Sequence, residues 1–156
     1  MLYGSRPGGR AGLLQLAANA KTAYEQTGEI HYDQTVSEIN PLAAMYVPNG
    51  AFPYYLDPAM GAGPEYANQW AVMSWEPWLT FDGISVASEI DVPVHIVHSE
   101  NGAVPQGAKE FIEKLPNGAE TLWLNDYNQI ELYYVPEAVD AAMRSTSAWL
   151  RETTAS

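Results

Sequence analysis

Few residues in this chain could do chemistry, and most of them fall in two short polar stretches. The first is His98, Ser99, Glu100 and Asn101; the second runs through Asp126, Tyr127, Asn128, Gln129 and Glu131. Each follows an apolar run, at 92–97 and at 121–124, so each reads as a loop at the end of a strand. Desolvation can turn a carboxylate into a base near neutral pH, so Glu100 or Glu131 could activate a water near His98 or Tyr127. Nucleophilic catalysis in a strand–loop–helix setting needs a strained G-x-S-x-G elbow. None of the nine serines, at 5, 37, 74, 85, 88, 99, 145, 147 and 156, has glycine on both sides at that spacing. Ser5, between Gly4 and Gly8, comes nearest but follows no strand.

Metal and nucleotide chemistry find less support. His95 and His98 are three apart on an expected strand, so they point to opposite faces and cannot share one ion. His31 and Asp33 would share a face, but two ligands do not make a site. Neither G-x-x-x-x-G-K-[ST] nor G-x-G-x-x-G occurs, so no metal and no cofactor are expected.

The elements that must hold these loops are legible in part. Leu13, Leu16, Ala17, Ala20 and Tyr24 form one stripe, predicting a helix over 11–28 that Gly28 stops, after a flexible start at 1–10. Prolines and glycines punctuate 29–63 and predict irregular structure, with a short turn near Pro41. From Pro64, the spacing of Tyr66, Ala67, Trp70 and Met73 predicts a helix in an aromatic-rich helical region over 64–90, broken or restarted at Pro77. Residues 91–152 read as strand, helix, strand, helix: β-branched residues at 92–97, then Ala108, Phe111, Ile112 and Leu115 on one stripe. A second strand at 121–124 and a closing helix with Val139, Met143, Thr146, Trp149 and Leu150 complete it. That order predicts an α/β fold with a parallel crossover inside a single domain, 1–156. Two parallel strands are too few for a stable sheet, so further strands must come from the middle of the chain or from a second copy; self-association is favoured.

Bulk composition narrows the partners. The chain has 156 residues, 47% of them hydrophobic, enough for a real core. Seven basic residues against nineteen acidic ones give a net charge of −12, which repels nucleic acid and anionic membranes. No window approaches 18 uninterrupted apolar residues, and the opening segment is a poor signal peptide, so a cytoplasmic location is expected. Trp70, Trp75, Trp78, Phe81, Tyr127 and Tyr133 are candidates for a small apolar or aromatic ligand, or for a subunit interface.

Taken together, AYEQTGEIHY, AVMSWEPWLTFDGIS, VPVHIVHSENGAVPQGAKEF and WLNDYNQIELYY resemble the C-terminal half of a bacterial α/β-hydrolase of the dienelactone-hydrolase-like branch. The resemblance implies a partial hydrolase layer structure whose nucleophile elbow would precede this segment. It places the seat of the triad acid at Asn101, with Glu100 as a substitute, and the seat of the triad histidine at Gln129. Glutamine takes no proton near neutral pH, so those seats are degenerate. The implied function is a non-catalytic, hydrolase-derived domain acting as a homodimer or binding a small ligand. The alternative is a small ester or lactone hydrolase, either carboxylate-based or one subunit of a split enzyme.

Overall fold

A computed structural model of the chain describes residues 6–46, 53–60 and 63–155. Part of the start expected to be flexible, and of the Pro/Gly-rich stretch (Pro48, Gly50 and Gly61 among it), lies outside those residues. The chain divides into two compact units, Met1–Phe81 and Asp82–Ser156.

The first unit is organised by helix α1, Gly9–Thr27. Its apolar stripe buries Leu13, Ala17 and Ala20 against Ala44, Val72 and Trp75, with Leu16, Leu42 and Trp70 packed around them. Gly28, at φ 76°, closes the helix by donating its N–H to the Tyr24 carbonyl at 2.7 Å. Beyond it the chain makes short ladders. Strand β1 (Tyr32–Gln34) pairs antiparallel with β4 (Gln69–Ala71), and β2 (Val36–Ser37) pairs parallel with β3 (Met45–Tyr46). A single turn, α2 (Pro53–Leu56), precedes β4.

Two side chains substitute for regular structure here. Asn68 donates to the Val36 carbonyl (3.1 Å) and accepts the Val36 N–H (2.8 Å), acting as a strand neighbour for β2. Arg6 is buried and donates to the carbonyls of Pro41, Ala43 and Ala44, fixing the turn before β3, while its guanidinium lies 5.2 Å above the Trp75 ring.

The helix expected from Pro64 is not formed. Asn68 sits at φ 47°, a left-handed conformation that ends any helix, and Trp70 instead pairs with Asp33 in the β1–β4 ladder. Helix begins later, as a tight 3-10 turn over Val72–Ser74 followed by α3, Trp75–Thr80. Pro77 does not break α3, because it stands in the first turn, where its missing N–H would have had no partner in the helix.

The second unit is an α/β layer. Strands β5 (His95–His98) and β6 (Glu120–Trp123) run parallel, joined by helix α4, Pro105–Lys114. A short turn of helix, α5 (Glu131–Tyr134), and a long one, α6 (Pro136–Thr154), follow. The strands lie slightly off the expected 92–97 and 121–124. Pro93 offers no N–H, and the ladder starts where the Val94 carbonyl accepts from Glu120 at 3.0 Å. Side-chain alternation gives each face its own helix. His98 and Trp123 face α4, whose Lys109 lies 5.5 Å from the Trp123 ring, and His95 faces α6.

The middle of the chain does form strands, but among the described residues they pair with one another, and β5 and β6 pair only with each other. In α6 the expected apolar stripe divides. Val139, Thr146 and Trp149 are half-buried, while Met143 and Leu150 are 58% and 47% exposed. No helix among the described residues is long and apolar enough to cross a membrane.

Candidate functional site

The loops 99–103 and 125–131 leave the carboxyl ends of β5 and β6, the end of a parallel sheet where ligands usually bind. The structure brings Glu100, Asn101, Tyr127, Gln129 and Tyr133 together here. Four hydrogen bonds sew one loop to the other. Ser99 Oγ donates to the Tyr127 carbonyl (2.5 Å), and the Glu100 N–H donates to Asn125 Oδ1 (2.9 Å). Asn101 Nδ2 donates to the Asn125 carbonyl (2.6 Å), and the Ala103 N–H donates to Gln129 Oε1 (3.1 Å).

Each degenerate seat is therefore occupied by a structural contact. Gln129 accepts from Ala103 and donates through Nε2 to the Tyr133 hydroxyl at 2.5 Å. Asn101 holds Asn125, and its own N–H donates to Ser99 Oγ at 3.0 Å. Glu100 is ion-paired with Lys109 at 2.7 Å. Both partners are well exposed, so that pair contributes only about 0.2–1 kcal/mol.

Glu131 is engaged as well. Its Oε2 accepts the Asn128 N–H (2.7 Å), while Asn128 Oδ1 accepts the N–H groups of Ile130 (2.9 Å) and Glu131 (3.0 Å). This reciprocal arrangement is a capping box built on N-x-x-E, and it starts α5. Glu131 thus carries a structural role here rather than a catalytic one.

His98 is the only imidazole at this end of β5. Its Nδ1 lies 2.8 Å from the Ser99 N and 2.9 Å from the Ser99 carbonyl oxygen. An amide nitrogen always carries its hydrogen, so we assign the first contact as the hydrogen bond. Nδ1 is then the acceptor and the ring proton sits on Nε2, which leaves the neutral ring no free lone pair for a base. The other face of the corner is tight. A Cβ added at Gly102 would lie 3.0 Å from the Ser99 oxygen and 3.1 Å from His98 Cε1. Val104, at φ 53°, is a β-branched residue in a left-handed conformation, and Gly107 leaves room for it.

The aromatic candidates of the first unit form a separate cluster. Trp75 is 1% exposed and belongs to the core. Trp70 packs against it with centroids 5.4 Å apart and meets Trp78 edge-on at 5.3 Å. Trp70 Nε1 is buried without a hydrogen-bond partner. Trp78 and Phe81 are 51% and 82% exposed. Among the described residues no three histidine, aspartate or glutamate side chains gather as a metal would require.

No protein-family model matches the sequence, and no curated protein matches it. Solved structures do. One is DcsB in complex with its substrate analogue, with a TM-score of 0.77 at 16% identity over 100% of this chain. Another is the α/β-hydrolase GrgF from Penicillium sp. sh18, with a TM-score of 0.72 at 17% identity over 99% of this chain. The fold is α/β-hydrolase-like. The chain spans about half the length of these structures, 55% and 54% respectively. A likeness at this identity concerns the fold alone, a partial hydrolase layer with a short parallel sheet flanked by helices.

Proposed function

We propose that this chain is a non-catalytic, hydrolase-derived domain that acts by self-association, its carboxyl-end corner holding loops in place rather than moving protons. The observation that carries this reading is Gln129. At the seat where the resemblance puts a general base, it accepts from Ala103 and donates to Tyr133. Glu100 and Glu131, the carboxylates of the alternative reading, are engaged with Lys109 and Asn128. Self-association is supported by the sheet, whose two strands bond only to one another among the described residues, and by the exposed Met143 and Leu150 of α6. Light scattering at micromolar concentration tests it: a dimer is expected, and a monodisperse monomer overturns self-association. A second copy whose edge strand pairs with β5 or β6 would also protect those amides from hydrogen exchange as concentration rises.

A second reading is favoured by the share of each neighbour that the chain covers. Here the domain is one subunit of a split α/β-hydrolase, and a different polypeptide supplies the remaining sheet and the nucleophile. Light scattering would then show a monomer, and ester hydrolysis would appear only when the second polypeptide is added. Binding of a small apolar or aromatic ligand draws less support, because Trp70 and Trp75 pack on each other. Titration with aromatic probes, followed by tryptophan fluorescence, checks it.

A further inference from the structure

Helix α6 has a second side that the sheet does not use. At about 3.6 residues per turn, Ala138, Ser145 and Trp149 fall on one side, where Ala138 is buried and the other two meet His95. On the opposite side lie Asp140, Met143, Arg144, Ser147, Leu150 and Arg151, and all but the half-buried Ser147 are exposed. Met143 and Leu150, seven residues apart, stack on one flank of this face; Arg144 and Arg151, also seven apart, stack on the other. Glu137 joins the arginine flank near the start of the helix. Among the described residues none of Glu137, Asp140, Arg144 and Arg151 makes an ion pair within the chain. Yet Asp140 and Arg144 have the same spacing as Glu110 and Lys114, which do pair in α4, at 2.9 Å. Two acids and two bases make this face neutral on a chain of net charge −12, so a second, equally acidic copy is not repelled there.

We propose that two copies of the chain meet on this face, α6 against α6, antiparallel about a two-fold axis at the level of Thr146. The surface rests on the self-association proposed above and specifies where it happens. In a two-fold pair each flank meets its own counterpart running in the opposite direction. Met143 stands three residues before Thr146 and Leu150 four after; Asp140 stands six before and Arg151 five after. One register therefore brings Met143 beside Leu150 of the second copy and Asp140 beside Arg151 of the second copy. Each pair is then about one residue, or ~1.5 Å of rise, out of level. Symmetry makes every contact twice, giving two ion pairs beside two apolar contacts that cover side chains the single chain leaves in water. A parallel copy would instead set arginine on arginine and acid on acid. Ser147, small and near the centre, lets the two backbones approach. One helix seam is smaller than the roughly 1,600 Å² total of a standard interface, so a dimer of micromolar strength is expected.

The test is sedimentation velocity of the full chain across a micromolar concentration series, with circular dichroism verifying that each variant keeps α6. The wild type is expected to pass from monomer to dimer as concentration rises. Asp140→Arg sets arginine against arginine at both symmetric contacts, and Arg151→Asp sets aspartate against aspartate. Each alone is expected to weaken the dimer about tenfold, since exposed pairs are individually weak and symmetry doubles the change. Mixing the two variants in equal amounts restores the wild-type affinity, because each chain then offers the charge that the other lacks. Met143→Glu, which removes the apolar contact, weakens the dimer more than either reversal. A wild type that stays monomeric overturns both this surface and self-association itself. A wild type that dimerises although neither reversal weakens it, or a mixture as weak as its components, overturns the surface and leaves self-association standing. Protection of β5 or β6 amides as concentration rises overturns the surface in favour of a sheet edge.

Discussion

The two ends of β5 each bring a histidine to a serine, and the pairs differ in which atoms meet. At the carboxyl end, His98 Nδ1 receives the Ser99 main-chain N–H, and the Ser99 hydroxyl is turned away to the Tyr127 carbonyl. At the amino end, His95 Nε2 meets the Ser145 hydroxyl itself. The residue types are the same and the chemistry is not. In the first pair the imidazole lone pair and the hydroxyl proton are both committed to the backbone, so the pair fixes a loop. In the second the side chains meet each other directly, so the contact ties α6 to β5 across 50 residues of sequence.

The sharpest way to break that contrast is to remove the same atom at both ends. Ser99 is fully buried, and its hydroxyl serves both Tyr127 and Asn101, so Ser99→Ala removes the partner of two part-buried main-chain groups. The expected loss is about 1–3 kcal/mol in urea unfolding. Val104→Gly, in the same loop, is expected to act in the opposite direction. Relief of a left-handed valine is worth roughly 1–2 kcal/mol and glycine's added chain entropy removes about half, leaving a gain of about 0.5–1 kcal/mol in the same measurement. Ser145→Ala should change stability by less than ~0.5 kcal/mol, because the half-buried hydroxyl is replaced by a stronger helix former. A large loss there would mean that Ser145 is a structural anchor like Ser99. Smallest of all is the effect of Gln129→His on ester hydrolysis by the full chain. No change is expected, since the Ser99 hydroxyl remains bound to the Tyr127 carbonyl and the hydroxyl that meets position 129 is the Tyr133 phenol rather than a serine.

How much of this was legible depended on the range of the interaction. The α1 stripe from Leu13 to Ala20, the Gly28 stop and the β5–α4–β6 crossover rest on local periodicity, and they could be read directly. The helix expected from Pro64 fails because Tyr66, Ala67, Trp70 and Met73 have helical spacing, while Asn68 is held left-handed by Val36, 32 residues away. No local pattern signals that contact. The α6 stripe was a true apolar pattern, yet spacing alone does not separate the flank packed on the sheet from the flank carrying Met143 and Leu150. At the site, the absence of a histidine at 129 was readable, whereas Glu131, read as a possible base, caps α5 together with Asn128. The meeting of His95 with Ser145 was not, since it arises only when α6 packs on the face of the sheet opposite α4.

The Arg6 clamp has a consequence for the order in which the first unit assembles. Its guanidinium closes contacts spanning 35, 37 and 38 residues, from the lead-in of α1 to the turn before β3. Loop closure over such a span must precede any reward from those bonds, and rates fall as contacts become less local. Helix α1 can form from its own sequence, whereas the Arg6 contacts form only once the lead-in of that helix and the turn before β3 have met. Arg6 thus works as a late latch, and its loss would show chiefly as faster unfolding rather than slower folding.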